Sequence, residues 1–189
     1  KELSEAGRET KRAVAEEKIK ALQERDRQVR ETVLQHTPAV PARVSLVSDR
    51  PVERTVEGEE DWTRLAEGDP LRTGDRLRTA SGGVARLDFP WMAVTLGPSS
   101  VLSVPASAVL STVLEKGRAE FSGPGHDIVK IQVGGGEIRG GGRLVVWREG
   151  ERTAATALEG AFRVSGAGRT VEIQAGQGTS MRRGEPPMS

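Results

Sequence analysis

The chain has 189 residues, enough for one domain of moderate size with an appendage, and it contains no Cys, which excludes disulfides, thiol nucleophiles and thiolate metal sites. Its 28 basic and 27 acidic residues are intermixed and give a formal net charge of +1, so we expect no nucleic-acid partner. No apolar run approaches the roughly 20 residues that span a bilayer.

Residues 1–36 differ in composition from the rest of the chain, because Glu, Lys, Arg, Ala and Gln dominate and Pro is absent. These are good helix formers, and we predict a long charged amphipathic helix with a narrow apolar stripe. The stripe comprises Ile19, Leu22, Val29 and Val33. It is too thin to fold alone, so we predict a coiled coil through self-association or docking on another protein. A solvated helix without a partner is the alternative.

Residues 37–41 carry two prolines, which remove amide donors and end the helix, so we place a linker there. Beyond it, short apolar runs alternate with polar residues, and Gly or Pro occupies almost every gap. The pattern predicts a mainly β domain over residues 42–181, solenoid-like or sandwich-like and built of short strands. We expect residues 182–189 to form a disordered tail. The predicted strands are 42–47, 84–89, 93–96, 100–104, 111–114, 119–121, 128–133, 143–147, 154–158, 161–164 and 170–173.

A loose repeat lies at the start of this domain, where residues 65–69 read Leu-Ala-Glu-Gly-Asp and residues 71–75 read Leu-Arg-Thr-Gly-Asp. With Trp62 before them and Thr79 after them, they resemble the opening of a FecR-type domain, which typically has a Trp, a Leu-x-x-Gly, and a Leu-x-x-Gly-Asp followed by Thr. The resemblance covers residues 44–178. Further matching segments are 83–89, 94–100, 114–118, 156–164 and 171–177.

The resemblance implies an all-β, solenoid-like fold in the periplasm or another extracytoplasmic space. The best-known members of the FecR family relay signals from outer-membrane receptors to sigma factors, and others are envelope proteins with unassigned binding roles. On this basis we expect a protein partner in the envelope or membrane. A membrane tether upstream of Lys1 is compatible with this expectation.

Trp91 and Met92 are the candidate partner contacts of the β domain. Pro90 interrupts the strand before them, so we expect Trp91 to turn outward as an exposed aromatic anchor beside Met92. Packing of Trp91 against a neighbouring turn is the alternative. We assign Trp62 and Trp147 to core or edge packing, because both fall in segments of alternating polarity.

Residue types that could carry chemistry have structural explanations here. His126 beside Asp127 lacks a nucleophile motif, and Asp69 and Asp75 follow glycines, where an Asp side chain commonly caps its own turn instead of binding calcium. The triplets Gly134–Gly136 and Gly140–Gly142 lack the Lys-Ser or Lys-Thr of a phosphate loop, and we predict tight corners there. We therefore predict no catalytic residues, metal or cofactor. The expected function is a non-enzymatic protein-interaction or scaffold module of the bacterial envelope, with carbohydrate or peptidoglycan binding as the alternative.

Overall fold

The computed structural model describes Lys20 and residues 39–188, apart from 57, 91, 105–110 and 124–128. The chain divides into two units, residues 1–38 and 39–189, and the fold set out here is that of the second. The predicted N-terminal helix and its stripe, Ile19, Leu22, Val29 and Val33, lie outside the described residues. Within the described part, no helix has the length and apolar character needed to cross a membrane.

The second unit is built of strands, which confirms the mainly β prediction. Its strands are β1 (Ala39–Val47), β2 (Val52–Val56), β3 (Thr63–Arg64), β4 (Pro70–Arg72), β5 (Asp75–Thr79), β6 (Ala85–Phe89), β7 (Met92–Leu96), β8 (Val101–Ser103), β9 (Ser111–Gly123), β10 (Val129–Val133), β11 (Gly136–Glu149), β12 (Arg152–Gly166), β13 (Arg169–Gln174) and β14 (Gly178–Arg182).

Hydrogen bonds join these strands in one sheet with the order β13-β12-β11-β10-β9-β7-β6-β1-β4. A branch runs from β3 through β2, β5 and β8 to β9, and β14 pairs with β12. Neighbours pair antiparallel, except β9 and β10, which are parallel. Because almost all the pairings are antiparallel, the described residues do not show the stacked coils of a solenoid.

One face of the sheet encloses the core. Strand residues alternate between faces, so β7 buries Met92, Val94 and Leu96, and β6 buries the three residues opposite them. Every strand longer than two residues adds to the same apolar cluster, so the sheet folds over on itself. The cluster holds only two phenylalanines that are fully buried, Phe121 and Phe162, and it relies on Leu, Val, Ile and Ala, as the composition requires.

The strands differ from the predicted short ones in length. The predicted strands 111–114 and 119–121 belong to β9, which has 13 residues, and 154–158 and 161–164 belong to β12, which has 15. Gly117 and Gly160 lie inside these strands, although in sequence they resemble turn residues. The prediction failed there because a glycine can accommodate an irregularity within a strand as well as a turn between strands.

The triplet Gly140–Gly142 is not a corner, which corrects the sequence prediction. It lies inside β11, which pairs with β10 up to Gly140 and with β9 from Gly142 onward. At this change of partner the backbone of β12 approaches closely, and a Cβ on Gly142 would lie 2.2 Å from the Glu159 carbonyl oxygen. The glycines therefore allow one long hairpin to cross between two groups of strands.

Residues 182–188 do not form the disordered tail that the sequence predicted. Met188 forms an antiparallel bridge with Ser180 of β14. The Met188 carbonyl accepts hydrogen bonds from the Thr179 hydroxyl at 2.6 Å and the Ser180 amide at 3.2 Å, and Pro187 is buried. The proline pair misled the prediction because proline only excludes helix and central-strand pairing, and it does not prevent packing.

Candidate interaction surface

The predicted contact residues of the β domain fall in different places. Trp91 lies outside the described residues, so its exposure remains a prediction. Met92 is 3% exposed, because it is the first inward residue of β7 and pairs with Phe89. A surface contact through Met92 is therefore wrong, and the alternation of β7 is the physical reason.

The two Gly-Asp pairs confirm the turn-capping prediction. Asp69 accepts the amide hydrogen of Ala66 at 2.9 Å, and Asp75 accepts that of Arg72 at 2.7 Å. In each case the carboxylate bonds to the amide three residues earlier, and the leucine that opens the segment is buried. Among the described residues, no three His, Asp or Glu side chains are grouped to hold a metal ion. His126 lies outside the described residues.

Asp75 is an unusual carboxylate because it is 2% exposed. Burial raises its pKa above the ordinary value of 3.8, and the Arg72 amide and the Arg54 guanidinium, 3.7 Å away, partly offset this effect. One of its oxygens, Oδ2, accepts the turn amide and faces Arg54, so the group has a structural role.

Trp62 packs on the outer side of the sheet. The Arg78 guanidinium lies 4.1 Å from the centre of its ring and that of Arg76 lies 5.8 Å away. Arg78 is held by Glu53 at 2.5 Å, and Arg76 is held by both oxygens of Glu115. The ring is thus covered by arginines that are themselves ion-paired, which agrees with edge packing.

Trp147 is 41% exposed, so the prediction of core or edge packing is wrong for this residue. In β11, Leu144 and Val146 point into the core, and Trp147 alternates to the outer face with Val145. The same alternation is visible in the sequence. The prediction failed because it took a tryptophan in an apolar run to be buried, whichever face of the strand it occupies.

Trp147 forms one wall of a groove of about 360 Å³ on this outer face. Its pairing partner in β12 is Ala154, which pairs with Ser180 of β14, and Ser180 bridges to Met188. Two small side chains therefore separate two large ones. Ala154 and Ser180 form the floor of the groove, and Trp147 and Met188, which is 60% exposed, form its walls. We call this surface the Trp147–Met188 groove.

One end of the groove carries positive charge. Arg152 and Arg182 line it and are direct cross-strand partners, and Glu185 lies nearby. Like charges placed opposite each other destabilise a sheet pair, and neither guanidinium is ion-paired with a described residue. An acidic group bound at this end would relieve the repulsion. The groove thus combines apolar walls with a basic end.

Comparisons with known proteins define the class of fold. No family model matches the chain, and no curated protein matches it. Two crystal structures of a candidate anti-sigma factor from Parabacteroides distasonis ATCC 8503, at 2.50 Å and 1.65 Å resolution, are similar with a TM-score of 0.50. They are 15% and 14% identical to this chain over 60% of its length.

The matched part covers 57% of each of those chains, so the chain spans little more than half of their length. At this level of identity the similarity shows the fold. The β unit therefore has a fold that is also found in that candidate anti-sigma factor.

Proposed function

We propose that the chain is a FecR-like, non-enzymatic module that binds another protein in envelope signalling, and that it binds through the Trp147–Met188 groove. The FecR-like series of motifs and the fold shared with the candidate anti-sigma factor support the class. The exposed Trp147 beside Met188 carries the proposal for the site.

The chemistry of the groove fits a protein segment with an apolar side chain next to an acidic one. Tryptophan is prominent among residues that dominate binding energy, and a methionine side chain adapts to varied apolar partners. The small floor leaves room for one apolar side chain between the walls. Arg152 and Arg182 would pair with a neighbouring carboxylate and set its orientation.

The test begins with a photo-reactive amino acid placed at Ser180, on the floor of the groove, in the full chain expressed in its native cells. The cross-linked protein is identified by mass spectrometry, purified, and titrated against the unmodified chain. Trp147→Ala is expected to weaken its affinity by about 2 kcal/mol or more, roughly thirtyfold.

Leu158→Ala provides the matched control, because Leu158 is also 41% exposed but does not line the groove. It should change the affinity less than about twofold, since a surface residue away from the contact has a small effect. Equal loss in both variants would show that the groove is not the binding site. Retention on purified cell-wall sacculi that Trp147→Ala abolishes would instead favour the carbohydrate-binding alternative.

A further inference from the structure

A second cleft, of about 680 Å³, lies at the turn between β10 and β11. Gly134 and Gly135 form this turn, and Arg148 of β11 and Arg183, which follows β14, also line the cleft. Arg148 alternates with Trp147 along β11, so the cleft and the Trp147–Met188 groove lie on different faces of that strand.

The Arg148 guanidinium is incompletely paired within the described part of the chain. Its Nη1 donates to the Leu114 carbonyl at 2.9 Å, but its Nε is buried and meets no hydrogen-bond acceptor there. Its nearest described carboxylate interaction is an electrostatic attraction to Glu115, whose oxygens are hydrogen-bonded to Arg76 and Ser103. Because an arginine stays charged in proteins, partial burial of this group costs free energy that a bound anion would offset.

Both arginines pack on the glycine turn. A Cβ on Gly134 would lie 3.5 Å from Arg148 Nε, and one on Gly135 would lie 3.4 Å from Arg183 Cγ. The backbone of Arg183 is fixed by its amide, which donates to the Glu151 carbonyl at 2.9 Å. The turn therefore lies against both arginine side chains, and a larger residue at either glycine would crowd them.

The charges around the cleft indicate the charge of a ligand. The described charged groups that line it are Arg148, Arg183 and Glu137, which sum to +1. Glu137 is paired with Lys130 at 3.0 Å and with Arg139, so its carboxylate already has its own cations. Ser165 on the rim is engaged with Thr170 at 2.9 Å. The two cleft arginines thus remain as the groups that could bind an anion.

We propose that this cleft binds a carboxylate group, held by the guanidiniums of Arg148 and Arg183. A carboxylate presents two oxygens in the geometry that the planar guanidinium fork recognises. The carboxylate could be that of a small metabolite or the C-terminus of a peptide, and both share this chemistry.

The experiment is an amide-resonance titration of the full chain, labelled with ¹⁵N, at low ionic strength. The probes are N-acetylglycine, its uncharged amide and inorganic phosphate. We expect saturable shifts at the amides of Gly134 and Gly135 with N-acetylglycine and none with the amide. If they occur, a peptide ending in a free carboxylate and its amidated form are compared with N-acetylglycine to distinguish the two sources.

Arg183→Gln is expected to weaken binding of N-acetylglycine about tenfold, the loss of one charge-assisted hydrogen bond. Arg64→Gln is the charge-matched control, since Arg64 is exposed on β3 and lines neither this cleft nor the Trp147–Met188 groove, and it should change the affinity less than about twofold. Arg148→Lys, which keeps the charge but not the fork, should weaken binding as Arg183→Gln does.

Equal weakening by Arg64→Gln and Arg183→Gln would overturn the proposal, because it would indicate attraction by general charge. Stronger binding of phosphate than of N-acetylglycine, or no saturable shift at Gly134 and Gly135, would overturn it as well. None of these outcomes bears on the Trp147–Met188 groove, so the two proposals fail separately.

Discussion

At the scale of single residues, Gly117 shows how one backbone position can join two strands. It has φ +88°, and a Cβ there would lie 2.2 Å from Ser100 Oγ. That hydroxyl is buried, accepts the Arg118 amide at 2.8 Å and lies 3.1 Å from the Arg118 carbonyl oxygen. The register between β8 and β9 shifts nearby, between Leu114 and Lys116 of β9. Gly117 thus leaves space for the Ser100 hydroxyl, which hydrogen-bonds to the backbone of Arg118 close to the register shift.

We predict that Gly117→Ala destabilises the fold strongly, by about 3 kcal/mol or more, measured as the free energy of unfolding in urea. The change combines an unfavourable φ with a collision against backbone-anchored Ser100 atoms. Gly68→Ala separates the two effects, because Gly68 also has φ +88° but its Cβ would meet nothing within 4 Å. It should cost only about 1–2 kcal/mol, and equal costs would contradict the collision.

Asp75 predicts a pH dependence of stability. Because burial raises its pKa above 3.8, the folded chain holds the proton to a higher pH than the unfolded chain does. Stability contributed by the protonated form is therefore lost as the pH rises from 3.8 through the raised pKa. Relative to Asp75→Asn, the free energy of unfolding of the natural chain should decrease across that window. Urea unfolding at a series of pH values checks this, and an increase across the window would be the opposite of our expectation.

At the scale of elements, the C-terminal segment completes the edge of β14. Without the bridge to Met188, the outer edge of β14 would present unpaired amides to solvent. The same segment supplies one wall of the groove. The C-terminal segment therefore both covers the edge of β14 and forms part of the Trp147–Met188 groove.

We predict that removal of residues 187–189 lowers the free energy of unfolding by about 1–3 kcal/mol, because the buried Pro187 and the hydrogen bonds to Thr179 and Ser180 are lost. Met188→Ala is the control, since it keeps the backbone bonds and removes a side chain that is 60% exposed. It should cost less than about 0.5 kcal/mol in urea unfolding. Similar costs for both changes would show that the backbone bridge contributes little.

At the scale of the whole molecule, the role of residues 1–36 stays a prediction from the sequence. The stripe of Ile19, Leu22, Val29 and Val33 is apolar and the residues around it are highly charged, a sequence pattern typical of helices that associate. We expect the full chain to be a dimer or larger in light scattering. A chain that begins at Pro38, which retains all of β1, should be a monomer.

If both chains are monomers, self-association through the stripe is wrong, and the stripe either binds another protein or has no binding role. The truncation starts at Pro38 because β1 begins at Ala39, inside the segment that we had assigned to the linker. A later start would remove residues of β1 that pair with β4. A change in the measured mass could then result from unfolding instead of from loss of self-association.

The sequence by itself determined the class of fold and much of its local chemistry. Period-two alternation and glycine-punctuated runs predicted a mainly β unit, and Gly-Asp pairs predicted capped turns, because both depend on neighbours along the chain. The missed strands, such as β2 and β5, have charged residues or Thr at most of their positions, so their apolar pattern was too sparse to recognise.

Only the tertiary structure decided which side chains meet at a surface. Trp147 and Met188 are 41 positions apart, and Ala154 and Ser180 bring them together by pairing across three strands. Arg148 and Arg183 likewise converge on a turn that neither adjoins in sequence. Alternation can place a residue on a face, but strand order and register decide its neighbours there, and these depend on contacts distant in the chain.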